Sequence, residues 1–455
     1  MRAHGPLRDG DGRHTVDSEV LLALVALLGC SPDSGLESGL PSALHHPVET
    51  QAAEHPRDAD DLGAVTPYAC ARTINVAQTG WSVETPVPAD LHAEVYGVAP
   101  APYHTHLGWS GDPSSSASMI WRTDADTLAT QVQIGPDDSL GTTIEGASFL
   151  LSSVTDDGRV HEAHVCGLTP GTTWHYRVGG PGGWSNIHTF TTAPPPGSPE
   201  PIVFGVAGDT RGGTTVWSQI LDAMRGHGVE FRVFTGDAVV TGSTISQWDD
   251  WYEAGVGYME SVPTIMAHGN HEGLSQAHFG LIAAPGNEEW YSFDYGDAHF
   301  AAFNDTPGAT ADWAEQAAWL ADDLAGTSRT WKITFHHKPA YSGCRPNGED
   351  MNVRTYMVPV QEAGGVQLDL AGHNHNYERT VPLRGGVEVP QTDGITYVVT
   401  AGGGAPLYDN NQNWSYTATF AETQHYVIGR IEAGTLTLTA YDLAGNVLDV
   451  TTLLP

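Results

Sequence analysis

The sequence predicts two folded parts in series, an all-β sandwich followed by an α/β domain. Between residues 93 and 193, strand-like runs such as SASMIWRTD and TTWHYRVGG alternate with turns such as LTPGTT, and about seven such strands in a hundred residues are typical of a β-sandwich. Between residues 201 and 455, longer apolar strands alternate with helical patterns, which indicates parallel βαβ units. The proline-rich stretch APPPGSPEP (193–201) separates the two parts.

Residues 1–30 predict an export signal. The apolar run from Val20 to Leu28 is too short to span a bilayer comfortably and has the length of a signal-peptide core. The LLGC that ends at Cys30 resembles a bacterial lipoprotein box, in which the cysteine is acylated after cleavage. We therefore expect a lipid-anchored protein at the cell envelope. The alternatives are a secreted protein, or a buried apolar segment with an incidental cysteine.

Residues 31–92 are expected to form a flexible acidic tether and a segment that we do not assign to a domain. From 31 to about 62 the chain is polar and rich in Pro, Ser and Gly, a composition typical of linkers. The segment RTINVAQTGWSVET further on contains a possible strand.

The charge balance excludes a general nucleic-acid-binding role. The chain has 54 acidic and 19 basic residues and a formal net charge of −35, and its two lysines are Lys332 and Lys338. Phosphate backbones require basic patches that such a surface lacks. We expect a small-molecule partner, and membrane contact only through the lipid anchor. The four cysteines have no CxxC spacing, which excludes a zinc-finger signature and leaves their pairing open.

The sandwich region has no evident catalytic pattern. Trp121 in IWRT, together with GLTPGTTWHYRV and FTT, resembles a fibronectin type III-like module. The resemblance implies a rigid spacer or a support for a lid.

In the α/β part, successive apolar strands end in residues that can bind metal ions. In open α/β folds, sites form at the carboxyl ends of strands. The strand ends are Gly208-Asp209, Gly236-Asp237, Gly269-Asn270-His271-Glu272, His336-His337 and Gly372-His373-Asn374-His375.

The spacing of the first two aspartates predicts that they lie on adjacent strand tips. Asp209 and Asp237 are 28 residues apart, about the length of one βαβ unit. Two carboxylates on adjacent strand tips lie close together and repel each other unless a cation lies between them. With an amide oxygen and several imidazoles nearby, the ligand set suits zinc, manganese or iron.

This ordered set of motifs resembles the calcineurin-like metallophosphoesterase family. GHNHNYER, the preceding sandwich, YVVTAGGGAPLY and EWYSFDYGDAHFAAFND narrow the resemblance to the purple acid phosphatase-like branch. It covers about residues 93–455 and implies a layered α/β/β/α domain with a dinuclear metal centre of Fe, Zn or Mn.

The resemblance also implies a role for each ligand. Asp209 binds the first metal, Asp237 bridges both metals, and His375 returns to the first. Asn270, His337 and His373 bind the second metal. His336 is the alternative to His337 and is expected to point to the opposite face of its strand. Tyr377, Glu378 and Arg379 are expected to support the ligands by hydrogen bonds.

The chain departs from the family pattern at two positions. Val240 stands where purple enzymes have an iron-binding tyrosine, so we expect no purple colour. Arg211 stands where many relatives have a histidine. Three protein ligands are therefore expected for the first metal.

The function that the resemblance implies is phosphomonoester hydrolysis of the acid-phosphatase type by a metal-activated hydroxide. His271 is expected to protonate the leaving group or stabilise the transition state, or otherwise to hold its loop. Arg211 either contacts a phosphate oxygen or forms a salt bridge at the rim. The alternatives are a phosphodiesterase that acts on nucleotides or lipid head groups, and a non-catalytic surface binding protein.

Overall fold

The computed structural model describes residues 95–455 except 152–153, 274, 287, 307–312, 345–346 and 409–413, together with the backbone of three short strands upstream. These strands are β1 (Ala64–Val65), β2 (Ile74–Asn75) and β3 (Val87–Pro88). The predicted export signal, Cys30 and almost all of the predicted tether lie outside the described residues.

The sandwich consists of two antiparallel sheets. Its strands are β4 (Tyr103–Gly108), β5 (Ser116–Asp124), β6 (Gln131–Gly135), β7 (Thr142–Glu145), β8 (Ala147–Phe149), β9 (Gly158–Cys166), β10 (Thr173–Gly180), β11 (Gly183–Trp184) and β12 (His188–Thr191). One sheet has the order β3-β8-β9-β5-β4, and the other has the order β11-β10-β6-β7 with β12 also paired to β10. Cys166, at the end of β9, is disulfide-bonded.

Strand β5 is buried on both faces. Met119 and Trp121 pack in the core between the two sandwich sheets. Ile120, on the other face, belongs to the core of the α/β part, and the Arg122 guanidinium donates a hydrogen bond to Asp249 there. Because side chains alternate along a strand, one strand serves two cores. The sandwich is therefore packed on the α/β part along this sheet.

The α/β part contains two further sheets. Its strands are β13 (Ile202–Ala207), β14 (Phe231–Phe234), β15 (Thr264–Met266), β16 (Tyr291–Tyr295), β17 (Ala298–Ala302), β18 (Trp331–Phe335), β19 (Leu368–Ala371), β20 (Tyr377–Thr380), β21 (Leu383–Arg384), β22 (Val387–Glu388), β23 (Thr396–Thr400), β24 (Thr417–Ala421), β25 (His425–Glu432), β26 (Thr435–Asp442) and β27 (Val447–Leu453). The sheet orders are β15-β14-β13-β25-β26-β27 and β16-β17-β18-β19-β23-β20-β24, with β21 and β22 forming a separate hairpin.

Helices cover the outer faces of these two sheets. They are α1 (Thr214–Gly226), α2 (Ile245–Glu253), α3 (Gln276–Gly280), α4 (Trp313–Gly326) and α5 (Val358–Gly364), with a π-helical turn at Val353–Met357 and a 3₁₀ turn at Gln391–Asp393. The apolar stripe of α1 (Trp217, Ile220, Leu221 and Met224) packs against the first sheet. Leu320 and Leu324 of α4 pack against the second.

The two sheets face each other across a shared apolar core. Phe204 and Phe231 of the first sheet meet Phe300 of the second, with ring centroids 5.3 and 5.2 Å from that of Phe300. The layers are therefore helix, sheet, sheet and helix. This arrangement confirms the predicted fold class, an all-β sandwich followed by an α/β/β/α layered domain. Among the described residues, no helix combines the length and apolar character needed to cross a membrane.

Parallel pairing brings the candidate residues to one edge of the layered domain. β13 pairs in parallel with β14, and β14 with β15. β17, β18, β19 and β23 are likewise parallel neighbours in the second sheet. The carboxyl ends of neighbouring parallel strands lie side by side, so the turns that follow them come together.

A partly buried carboxyl group lies at the opposite end of β14. Burial raises the pKa of Glu230 to about 7 from an ordinary value of 4.5, although Tyr295 and the Arg430 charge favour the ionised form. Between pH 4.5 and 7 the unfolded chain has lost this proton while the folded chain keeps it, so stability falls as pH rises through that window.

We expect Glu230→Gln to be more stable than the wild type at pH 8 by roughly 1–3 kcal/mol, and to lose this advantage near pH 4. Urea denaturation at pH 4, 6 and 8 measures the difference. Glu388→Gln, on an exposed residue, is the control. A Glu230→Gln variant with the same pH profile as the control would contradict this account.

Candidate metal centre

The turns after β13 and β14 place two aspartates side by side. Asp209 and Asp237 follow their strands with φ angles of 62° and 60°, in the left-handed region. The Asp209 N–H donates to the Gly236 carbonyl (2.9 Å), and the Arg211 N–H donates to the Asp237 carbonyl (3.2 Å). These bonds fix the two turns against each other, and both carboxylates are buried.

One group of candidate ligands combines Asp237, His337 and His373, whose ligand atoms lie within 4.8 Å of one another. His337 Nε2 is 3.3 Å from Asp237 Oδ1, 3.1 Å from Asn270 Oδ1 and 3.2 Å from His373 Nδ1. His337 Nδ1 lies 2.8 Å from the Thr235 carbonyl, which can only accept, so this nitrogen carries the proton. When the ring is neutral, as a metal ligand has to be, Nε2 is left with a lone pair that faces the group.

A second group combines Asp209, Asp237 and His375 within the same 4.8 Å limit. His375 Nε2 is 3.4 Å from Asp209 Oδ1. Its Nδ1 donates to the Pro406 carbonyl at 2.6 Å, which again leaves Nε2 directed at the carboxylates. The two groups share Asp237, as a bridging ligand would require. We call the Asp209–His375 group the first half-site and the His337–His373 group the second.

The charges of the site favour a bound cation. Burial raises the pKa of Asp209, although His375 and His337 oppose it. Burial acts in the same direction on Asp237, but the facing His337 holds its pKa well below the ordinary range. Burial lowers the pKa of His337, yet Asp237 and then Asp209 raise it to about 10. Oxygen and imidazole donors with inward lone pairs, in a site that attracts positive charge, fit a pair of metal ions.

His336, the alternative to His337, lies outside both groups. Its Nδ1 is 2.8 Å from Asp305 Oδ2 and its Nε2 is 2.9 Å from Asp369 Oδ2. Neighbouring residues at a strand end point to opposite sides, so only one of the two histidines can face the carboxylates. The imidazole of His336 is instead buried between the carboxylates of Asp305 and Asp369 and contacts both.

His271 lies beside the bridging carboxylate. Its backbone N–H donates to Asp237 Oδ1 (2.9 Å), and its Nδ1 donates to the Val240 carbonyl (2.7 Å). The other ring nitrogen, Nε2, is 3.9 Å from Asp237 Oδ2. The side chain is 23% exposed, so it is within reach of both the site and solvent.

Arg211 is partly buried and contacts the first half-site. Its Nη1 is 3.3 Å from His375 Nε2. The guanidinium is therefore next to the face of the site at which Asp209 and His375 meet. Val240, the residue at the tyrosine position of purple enzymes, is 44% exposed.

Glu272 supports the turn that carries the bridging aspartate. Its carboxylate accepts hydrogen bonds from the backbone N–H groups of Asp237 (2.8 Å), Ala238 (2.5 Å) and Gly269 (2.8 Å). Gly269 has to be a glycine, because a Cβ there would lie 2.2 Å from Asp237 Oδ1. This close packing ties the Asp237 and Asn270 turns together.

The hydrogen-bond partners of the imidazoles differ from those that the sequence predicts. Tyr377 and Arg379 both bond to Asp449. Glu378 bonds to Ser342, Gly343 and Thr417 instead. The backbone carbonyls of Thr235 and Pro406 fix the imidazoles. These partners carry no side-chain signal and were missed.

Two family models match the chain. Residues 102–192 match the model of the purple acid phosphatase N-terminal domain, and residues 202–377 match the calcineurin-like phosphoesterase model. The matched ranges correspond to the sandwich and to most of the layered domain.

Individual proteins also resemble the chain. An uncharacterized protein of Mycobacterium tuberculosis is 24% identical over 365 residues, which cover 66% of this chain and 69% of the relative. Purple acid phosphatase 21 of Arabidopsis thaliana is 26% identical over 309 residues, which cover 62% and 67%. The fold resembles that of a purple acid phosphatase from yellow lupin (Lupinus luteus) seeds. The TM-score is 0.70 at 21% identity, over 78% of this chain and 74% of the lupin chain.

Proposed function

Because the chain belongs to the calcineurin-like metallophosphoesterases, in the purple acid phosphatase-like branch, we propose that it hydrolyses phosphate monoesters at the strand-end site. The matches to this family support a phosphoesterase activity, and proteins of this family use a dinuclear metal centre. The substrate class, the metals and the individual residue roles are our proposal. The observation that carries it is that two candidate ligand groups share one buried carboxylate, Asp237.

The proposed ligands divide between two ions. Asp209, Asp237 and His375 hold the first, and Asp237, Asn270, His337 and His373 hold the second. The mixed oxygen and imidazole donors suit Fe, Zn or Mn. When bound, such a pair provides Lewis-acid activation of the phosphate and of the attacking water.

His271 is the proposed proton donor. Because Nδ1 donates to the Val240 carbonyl, a protonated ring has its second N–H at Nε2, on the side of Asp237. The Nε2 proton can be transferred to the oxygen of the departing alcohol, which leaves a neutral imidazole. The backbone bond of His271 to Asp237 keeps the donor next to the bridging carboxylate.

Arg211 is the proposed phosphate contact. Its guanidinium already donates toward the first half-site, and an anionic phosphate oxygen is a stronger acceptor than an imidazole nitrogen. In a chain with a net charge of −35, one placed arginine also offsets the repulsion that an anionic substrate meets.

We expect the metal-loaded protein to hydrolyse p-nitrophenyl phosphate at least about 10-fold more efficiently than bis(p-nitrophenyl) phosphate, a difference of about 1.4 kcal/mol. A charged monoester offers more oxygens to two cations and Arg211 than a diester does. Steady-state kcat/KM values for both esters measure the preference.

Asp237→Asn provides the background rate for each ester. A preference for the diester would contradict the monoesterase proposal and favour the phosphodiesterase alternative. Hydrolysis of neither ester, with no effect of Asp237→Asn, would favour the non-catalytic alternative. The predicted lipid anchor at Cys30 and export stay predictions, although the disulfide at Cys166 is typical of exported proteins.

A further inference from the structure

The segment that follows β23 forms a wall of the first half-site. The Gly403 N–H donates to the Gly208 carbonyl, and the Ala405 N–H donates to the Asp209 carbonyl, both at 2.9 Å. A Cβ at Gly403 would lie 2.2 Å from the Gly208 oxygen, so the two backbones approach as closely as glycine allows. The segment is therefore attached to the turn that carries Asp209.

The same segment also holds His375, at three places. The Pro406 carbonyl accepts from the His375 Nδ1 at 2.6 Å, and the Tyr408 N–H donates to the His375 carbonyl at 2.9 Å. The phenol ring of Tyr408 stacks on the imidazole, with centroids 4.1 Å apart and planes at 15°. The two ligands of the first half-site that are not shared with the second thus contact one continuous segment.

The two hydrogen bonds and the stack constrain different motions of His375. The Pro406 bond fixes one ring edge and the tautomer, and the ring can still pivot about that bond. A parallel aromatic ring at contact distance blocks the pivot and fixes the plane in which the Nε2 lone pair lies. A partner that orients a ligand typically changes metal affinity by 10- to 100-fold.

Orientation matters more in the first half-site than in the second. Among the described residues, the first group contains a single imidazole, whereas the second combines His337 and His373 with Asn270. The second group's His337 is fully buried and fixed by the Thr235 carbonyl. The side chains of Val240 and Arg211 supply no further metal ligand at the first half-site.

We propose that Tyr408 is a positioning residue of the first half-site, which holds the His375 imidazole by stacking and thereby sets the affinity of the first metal. The proposal rests on the dinuclear centre described above. Tyr408 contributes the ring face, and its hydroxyl is not required for this role.

The test measures metal binding and requires no turnover. Purified full-length protein is equilibrated at buffered free Zn²⁺ concentrations, and bound zinc per chain is determined by elemental analysis. Tyr408→Ala is expected to bind one of two equivalents about 10- to 100-fold more weakly and the other unchanged. Tyr408→Phe keeps the stack and is expected to bind like the wild type.

Matched controls assign the effect to one half-site. Trp414→Ala removes another stacked, half-exposed aromatic side chain, one that contacts Tyr416, and should leave both equivalents unchanged. In a His373→Ala background, Tyr408→Ala should still weaken zinc binding, because His375 is still present to be positioned. In a His375→Ala background, Tyr408→Ala should have no further effect on zinc binding, since residues that act through one another have non-additive effects. If Tyr408→Ala fails to fold by circular dichroism, Tyr408→Leu, which keeps apolar bulk without a planar ring, replaces it.

Two results would overturn the proposal. Wild-type zinc affinity in Tyr408→Ala or Tyr408→Leu would remove the positioning role. An equal loss in Tyr408→Phe would show that the hydroxyl acts, as a ligand or donor. Either result leaves the proposed function intact. Conversely, a wild type that binds two zinc ions and hydrolyses no ester would contradict the function and leave this inference standing.

Discussion

Asp237→Asn is expected to lower kcat for a phosphate monoester by roughly 100-fold or more, the equivalent of about 2.7 kcal/mol of transition-state stabilisation. Asp237 is the residue that both candidate ligand groups share. Replacing its carboxylate by an amide removes one negative charge from the position that both proposed half-sites share, and should weaken metal binding at both.

The substitution is conservative in shape, which separates catalysis from folding. The amide oxygen of asparagine can still accept the His271 N–H that Asp237 Oδ1 accepts at 2.9 Å. We therefore expect circular dichroism and elution volume to match the wild type. Initial rates on p-nitrophenyl phosphate at saturating metal measure the effect.

Asp322→Asn is the matched control, since Asp322 is exposed on α4. This substitution removes the same charge outside both candidate ligand groups. Its rate should equal that of the wild type. An Asp237→Asn variant with the rate of this control would show that the carboxylate bridges nothing that the reaction uses.

His375→Ala and His373→Ala are expected to differ in how much metal they retain. His375 is the single imidazole of the first group among the described residues, whereas the second group without His373 still has Asp237, Asn270 and His337. We expect His375→Ala to keep about one metal per chain at concentrations at which His373→Ala still approaches two.

Elemental analysis after equilibrium dialysis measures both stoichiometries. His188→Ala controls for the loss of an imidazole, because His188 lies in β12 of the sandwich. Equal metal content in the His375 and His373 variants would contradict the assignment of the two histidines to different ions.

The candidate site could be read from the sequence because its ligands follow apolar strands. Each of Asp209, Asp237, Asn270 and His373 comes within a few residues of a strand end, and parallel pairing brings such ends together. The choice between His336 and His337 depended on the direction in which each side chain points at the end of β18, and the structure places His337 in a candidate ligand group.

The groups that hold the ligand side chains in place could not be predicted from the sequence in the same way. The carbonyls of Thr235 and Pro406 are backbone groups, which every residue possesses, so no residue type marks them. Tyr377 and Arg379 are near His375 in sequence, but β20 carries their side chains to Asp449. The stack of Tyr408 on His375 joins positions that no local pattern relates.

Long-range pairing limited the prediction of the fold as well. The βαβ rhythm predicts the parallel strands, but β25 to β27 add an antiparallel half to the first sheet. Strand β5 reads as an ordinary sandwich strand, yet it is buried on both faces. The second face of β5 packs on the α/β part because Ile120 and Arg122 contact residues far along the chain.

The most direct test of the dinuclear phosphatase account is a metal titration of chelator-treated protein. Bound metal and p-nitrophenyl phosphate hydrolysis are followed together as Zn²⁺, Mn²⁺ or Fe²⁺ is added. We predict that activity stays near the background during the first equivalent and rises with the second, because the substrate phosphate needs both half-sites filled. Full activity in the chelated protein, or saturation at one metal per chain, would contradict the account.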